Sequence, residues 1–150
     1  MKITIKHYLF NLLVLFCCNA FSQNPVKWNI EFNCNNQSII FNAEIEDKWH
    51  LYAVYVPHSK LGPLPTEFSF EPSKIYTLKD SIIQMKPIIK FDKDYGTELA
   101  YYEKTTTFTQ YIVKDTKRVK IKGNIKFMSC NENMCIPFEY PFKINTKCPD

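Results

Sequence analysis

Phe127-Met128-Ser129-Cys130-Asn131-Glu132-Asn133-Met134-Cys135-Ile136-Pro137 is the stretch from which the fold can be read. Before it, Val119, Ile121, Ile125 and Phe127 alternate with Arg118, Lys120, Lys122 and Lys126, the period of a strand with one buried face. After it, Tyr140, Phe142 and Ile144 alternate with Glu139, Lys143 and Asn145. The polar residues between the two runs predict a turn, with Cys130 and Cys135 at the tip of a hairpin and close enough to bridge. A bridge over so short a loop contributes only about 2 kcal/mol in the chain-entropy model. Three roles stay open for the pair on these grounds: a structural staple, a redox-active couple, or half of a metal site.

The same two-residue period recurs along the chain. Trp28, Ile30 and Phe32 oppose Lys27, Asn29 and Glu31, and Ile39, Phe41, Ala43 and Ile45 oppose Asn42, Glu44 and Glu46. Aromatic and β-branched runs follow at 49–56, 66–70, 82–91 and 105–113. About eight short strands separated by turn signals, without long helical periodicity, predict an all-β sandwich. Pro63 and Pro65 mark a loop or an edge, and Lys86-Pro87 an edge strand or a bulge. Asp92-Lys93-Asp94-Tyr95-Gly96 reads as a polar loop carrying one aromatic side chain.

The N-terminus has the layout of a secretory signal peptide over 1–22. Lys2 and Lys6 form a positive start, an apolar run from Tyr8 to Cys18 is broken only by Asn11, and Ala20-Phe21-Ser22 offers small residues before a cut at Gln23. The run is too short for a comfortable membrane span, which disfavours the alternative of an uncleaved anchor. Bulky Phe16 argues against lipid modification at Cys17. The remaining 23–150 is the size of one domain, expected to be exported and free of any membrane span. Loss of Lys2 and Lys6 lowers the formal net charge from +4 by two, too near neutrality to point to nucleic acid. An apolar content of 45% suffices for a core that does not depend on disulfides.

Six cysteines become four when Cys17 and Cys18 leave with the signal, and in an oxidising compartment the four would tend to pair. Cys34 continues the Trp28-Ile30-Phe32 face and Cys148 continues Phe142-Ile144-Thr146. If the first and last strands lie side by side in parallel, the two sulfurs meet, and a bridge closing so long a loop is worth about 4–5 kcal/mol. The alternative is two unrelated thiols, with Cys148 in a frayed tail. A zinc site at Cys130 and Cys135 would need two further ligands from Cys34, Cys148, His50 or His58, and no second close-spaced pair exists.

As a redox couple, Cys130 and Cys135 lack the helix N-terminus or neighbouring cation that favours a thiolate, and Glu132 between them opposes it. Such a pair is expected to exchange mainly when a partner docks. His50, in Trp49-His50-Leu51-Tyr52, reads as a packed or half-exposed strand residue. No Ser-His-Asp order or glycine-rich phosphate loop is present. Arg118, Lys120, Lys122 and Lys126 read as a solvated, edge-protecting face. Asn36-Gln37-Ser38 matches a glycosylation acceptor, which matters only in a eukaryotic secretory host.

Three segments taken in order resemble the N-terminal periplasmic domain of the bacterial thiol–disulfide reductase DsbD. They are Asp47-Lys48-Trp49-His50-Leu51-Tyr52, Gly62-Pro63-Leu64-Pro65-Thr66-Glu67-Phe68, and Cys130-Asn131-Glu132-Asn133-Met134-Cys135-Ile136-Pro137. The resemblance covers essentially all of 23–150. It implies an immunoglobulin-like sandwich, periplasmic or secreted, whose cysteine pair relays electrons without a prosthetic group. It implies a thioredoxin-like or membrane thiol–disulfide transporter as donor, and exported disulfide-containing proteins as acceptors, among them disulfide isomerases and thioredoxins of cytochrome c maturation. Carried over residue by residue, Cys135 is the attacking thiol and Cys130 the resolving one. Tyr95, in the segment aligned with the family's cap loop, is the candidate shield, although Asp94 is the other residue at that position. Phe138 departs from a proline common in the family, and the sequence shows no counterpart of the family's transmembrane and thioredoxin-like parts. The runner-up role is a non-catalytic binding module that keeps the hairpin disulfide as a staple.

Overall fold

A computed structural model describes residues 24–55, 62–114 and 116–148; the expected signal peptide and His58 lie outside them. Among the described residues the chain forms ten strands and no helix: β1 Val26–Asn33, β2 Ser38–Ile45, β3 His50–Tyr52, β4 Glu67–Phe70, β5 Tyr76–Gln84, β6 Ile88–Asp92, β7 Thr97–Tyr102, β8 Thr105–Lys114, β9 Lys120–Cys130 and β10 Cys135–Asn145. They build two antiparallel sheets, one ordered β1-β2-β8-β5 and the other β10-β9-β3-β7-β6, with β4 also on β9. The result is an immunoglobulin-like β-sandwich.

Alternation puts Trp28, Phe41, Phe108, Ile121, Ile125, Phe127 and Phe142 into one core between the sheets. Trp28 packs there against Phe68, Phe108 and Phe127 at centroid distances of 6.0, 5.9 and 5.6 Å. Gly123 lies opposite both Phe142 of β10 and Phe70 of β4. A Cβ there would collide with the Ser69 carbonyl oxygen and the Phe142 ring, so the missing side chain lets β4 close onto β9.

Several expectations change. The aromatic run 49–56 supplies only the short β3, because the chain leaves the sheet after Tyr52. The run 82–91 is two strands, the end of β5 and β6 up to Phe91, separated at Met85-Lys86-Pro87, where proline has no N–H for a ladder. Strand β7 was not expected at all.

Cys34 and Cys148 form a disulfide with a Cα–Cα distance of 5.7 Å. The parallel pairing of first and last strands does not occur. β1 is an edge of the smaller sheet and β10 an edge of the larger, so this bridge joins the two layers across one open side of the sandwich. With 114 residues of separation, it removes far more unfolded-chain entropy than Cys130–Cys135, five apart. Removing the bridge as Cys34→Ala/Cys148→Ala should lower the urea-denaturation free energy by about 4–5 kcal/mol, against about 2 kcal/mol for Cys130→Ala/Cys135→Ala.

Candidate functional site

Strands β9 and β10 pair from Lys120↔Asn145 to Cys130↔Cys135. The turn 131–134 closes through the Asn131 N–H, which donates to the Met134 carbonyl at 2.9 Å. The Asn131 side-chain oxygen accepts from the N–H groups of Asn133 and Met134, at 2.8 and 3.0 Å. This Asx-type turn is why the Asn-Glu-Asn composition suits a tight connection. It holds Cys130 and Cys135 as a directly opposed pair, bonded as a disulfide with 4.1 Å between Cα atoms.

Register sets which way the pair faces. Ser129, Phe127 and Ile125 point to the buried side, Ser129 donating its hydroxyl to the His50 carbonyl at 2.9 Å. Cys130 and Met128 therefore occupy the outer face of the larger sheet. On that face Cys130 is only 1% exposed, because Tyr52, Leu99, Tyr101 and Met128 pack into a second, smaller apolar cluster around it. Cys135, on the neighbouring strand, is exposed. The two sulfurs of one bridge thus differ sharply in access.

Both cysteines line an open cleft of about 760 Å³, together with Trp49, His50, Tyr52, Tyr95 and Tyr101. Its charged lining sets Glu46, Asp47, Asp92, Asp94, Glu103 and Glu132 against Lys48, Lys90 and Lys104. Tyr95 sits in the turn between β6 and β7. The Asp92 carboxylate accepts from the N–H groups of Asp94 and Tyr95 at 2.8 and 3.1 Å, and Gly96 takes the left-handed conformation, φ 64°, that brings the chain back into β7. Tyr95, the cap candidate, and its neighbour Asp94 thus border the same cleft as the cysteine pair.

His50 lies directly opposite Cys130 across the β3–β9 ladder. Its Nε2 is 3.1 Å from the Tyr52 hydroxyl, and its ring packs against those of Tyr52 and Tyr101 at 5.1 and 4.9 Å. Burial pushes the imidazole below its ordinary pKa, partly offset by the negative charges of Glu103 and Asp92. Burial, with Tyr95, Asp92 and Tyr101 adding to it, pushes the Tyr52 phenol far above its usual value, so it stays protonated. Among the described residues, no group of three or more His, Cys, Asp or Glu side chains is arranged to hold a metal ion.

Residues 20–147 match the family of the N-terminal domain of the thiol:disulfide interchange protein DsbD. The chain belongs to this family. Among solved structures, the reduced DsbD N-terminal domain of Neisseria meningitidis is similar, at 14% identity over 83% of this chain and 87% of that one, with a TM-score of 0.60. A structure of the complex between the DsbD N-terminal and PilB N-terminal domains of the same organism matches at 13% identity, 81% and 84% coverage and a TM-score of 0.59. At these identities the likeness is one of fold. No curated protein matches the chain significantly. Membership in the DsbD N-terminal family and the paired cysteines together make thiol–disulfide exchange the general chemistry of this domain. No helix among the described residues is long and apolar enough to cross a membrane.

Leu99 and Tyr101, which help bury Cys130, were not identified from the sequence, because the strand that carries them was not recognised. Their signal was faint: Leu99 and Tyr101 do recur at a spacing of two, but Ala100 and Tyr102 fill the other face with equally apolar residues.

The lowered His50 pKa carries a sign for stability. Above about pH 6.5 the group is neutral in both folded and unfolded chains and contributes nothing. As pH falls below that value the unfolded chain binds the proton first, so stability drops until the folded value is passed. Urea melts from pH 7.5 to 4.5 should show a decline over that window that His50→Gln removes, with carboxylate effects common to both proteins.

Proposed function

We propose that the chain is an exported electron carrier, delivered to the periplasm or beyond by a leader over 1–22, and that 23–150 is its working domain. The observation that carries this reading is the unequal access of one disulfide, with Cys135 exposed and Cys130 buried in an apolar cluster. A partner sulfur can reach Cys135 in line, while Cys130 is kept from outside nucleophiles and reserved for its neighbour. Cys135 is then the attacking thiol and Cys130 the resolving thiol.

In the reduced protein, the Cys135 thiolate attacks one sulfur of a partner disulfide. A mixed disulfide forms, and the second partner sulfur leaves as a thiolate and takes up a proton. Cys130 then loses its proton and attacks the Cys135 sulfur. The Cys130–Cys135 bond forms, the first partner sulfur leaves and is protonated, and two electrons have passed to the partner. A thioredoxin-like dithiol, from a membrane thiol–disulfide transporter or a domain linked to one, restores the reduced pair by the reverse sequence. The acceptors are exported disulfide-containing proteins. The solved complex of two Neisseria domains that this fold resembles supports a protein partner of this general kind. No prosthetic group is required by this route. Tyr95 shields the pair between encounters, supported by its position on the rim of the cleft, 36% exposed, in the turn that borders Cys130 and Cys135.

The reduction potential of Cys130–Cys135 in the intact chain, read by mass spectrometry of alkylated peptides after equilibration in defined redox buffers, should fall between about −180 and −270 mV. A value below about −300 mV is that of a structural disulfide and would return the chain to the binding-module reading. In cells, Cys130→Ser should accumulate mixed disulfides through Cys135, while Cys135→Ser and the double variant should not.

A further inference from the structure

The row of residues across β3, β9 and β10 at the top of the larger sheet reads His50, Cys130, Cys135. These three are direct cross-strand neighbours on one face. Directly opposed residues of an antiparallel pair have Cβ atoms about 4.5–5.5 Å apart, so the His50 side chain leaves β3 beside Cys130, on the side away from Cys135. The ring is also held in place, by the Tyr52 hydroxyl at 3.1 Å from Nε2 and by contacts with the Tyr52 and Tyr101 rings. Cys130 itself is 1% exposed, which leaves water poorly placed to take its proton.

Resting on the exchange reading above, we propose that His50 is the acid–base partner of Cys130, taking its proton in the resolving step and returning it when the disulfide is reduced. In the forward direction the Cys130 thiol passes its proton to the imidazole as its sulfur bonds to the Cys135 sulfur, and the electron pair of the broken mixed disulfide leaves on the partner sulfur. In the reverse direction a donor thiolate bonds to Cys135, the Cys130–Cys135 bond breaks, and the imidazole, having taken up a proton from solvent, passes it to the Cys130 thiolate as it departs. No other oxidant or reductant enters.

The groups that act on the imidazole fit this task. Burial keeps it neutral at neutral pH and able to accept a proton, while Glu103 after β7 and Asp92 at the end of β6 stabilise the cation once it forms. Tyr52 on the same strand and Tyr101 on β7 pack against the ring and are both pushed towards their neutral phenol forms. They orient the imidazole without competing for its proton. Transfer from a thiol to a group of lower pKa is uphill, and the attraction between the resulting thiolate and imidazolium offsets that cost, as in cysteine–histidine pairs generally. Cys135 lies one strand further away and is not served.

The two steps separate in the reaction of the reduced protein with the chromogenic disulfide 5,5′-dithiobis(2-nitrobenzoate). Mild reduction is used, and peptide mass confirms that Cys34–Cys148 remains closed. The first thionitrobenzoate is released by Cys135 attack, the second by Cys130 closure. His50→Gln should slow the second release at pH 7 by about 100-fold, the ordinary worth of a general base, and leave the first within about twofold. The second-phase rate of the unaltered protein should rise through a histidine titration that the variant lacks. Equal slowing of both phases, or no slowing of the second, would overturn the assignment. If the unaltered protein releases no second equivalent, the pair does not close and it is the exchange reading that fails. A measurement without any substitution stands beside it: in the reduced protein, NMR resonances of the His50 ring should show a second inflection as Cys130 ionises, absent from the oxidised protein. A single unchanged inflection in both would also sink the proposal.

Discussion

Strand β9 is hydrogen-bonded along both edges, to β10 on one side and to β3 and β4 on the other, and the rest of the structure depends on the register of those ladders. Because side chains alternate, a slip of one residue would turn Ile121, Ile125 and Phe127 to the outer face and drive Cys130 into the core. Burial of those three apolar side chains therefore fixes the direction in which the cysteine points. The same register sets Cys130 opposite both Cys135 and His50. Stability and chemistry share one constraint: the residues that hold the sandwich together also aim the sulfur.

The site also uses a second feature of β-sheets. The outer face of a sandwich is normally wet, but the top of the larger sheet carries a small apolar cluster of Tyr52, Leu99, Cys130, Tyr101 and Met128. It makes one sulfur of the pair a buried group while its bonded neighbour stays in solvent. Unequal access arises here from a strand edge and three or four covering side chains, without a helix N-terminus or any cavity in the main core.

Where one face of a strand is wet, the sequence declares it. The alternation in 119–127 and 140–144 was enough to locate the β9–β10 hairpin, and Asn131, Glu132 and Asn133 its turn. Where both faces are covered, alternation disappears. In β7, Leu99 and Tyr101 pack outward while Ala100 and Tyr102 pack into the core, so Leu-Ala-Tyr-Tyr carries no period and the strand was missed. Two walls of the cleft, Leu99 and Tyr101, went with it. The first part of β5 was concealed differently, by a register shift between Lys79 and Ile83 with Asp80 in a left-handed conformation, which interrupts the period. Cys34 and Cys148 could be matched by face and position, but only the layered geometry reveals that the strands they follow, β1 and β10, lie in opposite sheets.

That second bridge has a mechanical consequence. Residues 34–148 form a covalently closed ring, and the cleft, its aromatic walls and both reactive sulfurs lie inside it. A pull applied to the chain before Cys34 and after Cys148 passes through the bridge and never reaches the β9–β10 ladder. Only β1, which precedes Cys34, is left to peel from its neighbour. A domain tugged from outside the ring by a tether or a departing partner would yield at that one margin, with its reactive hairpin unstretched.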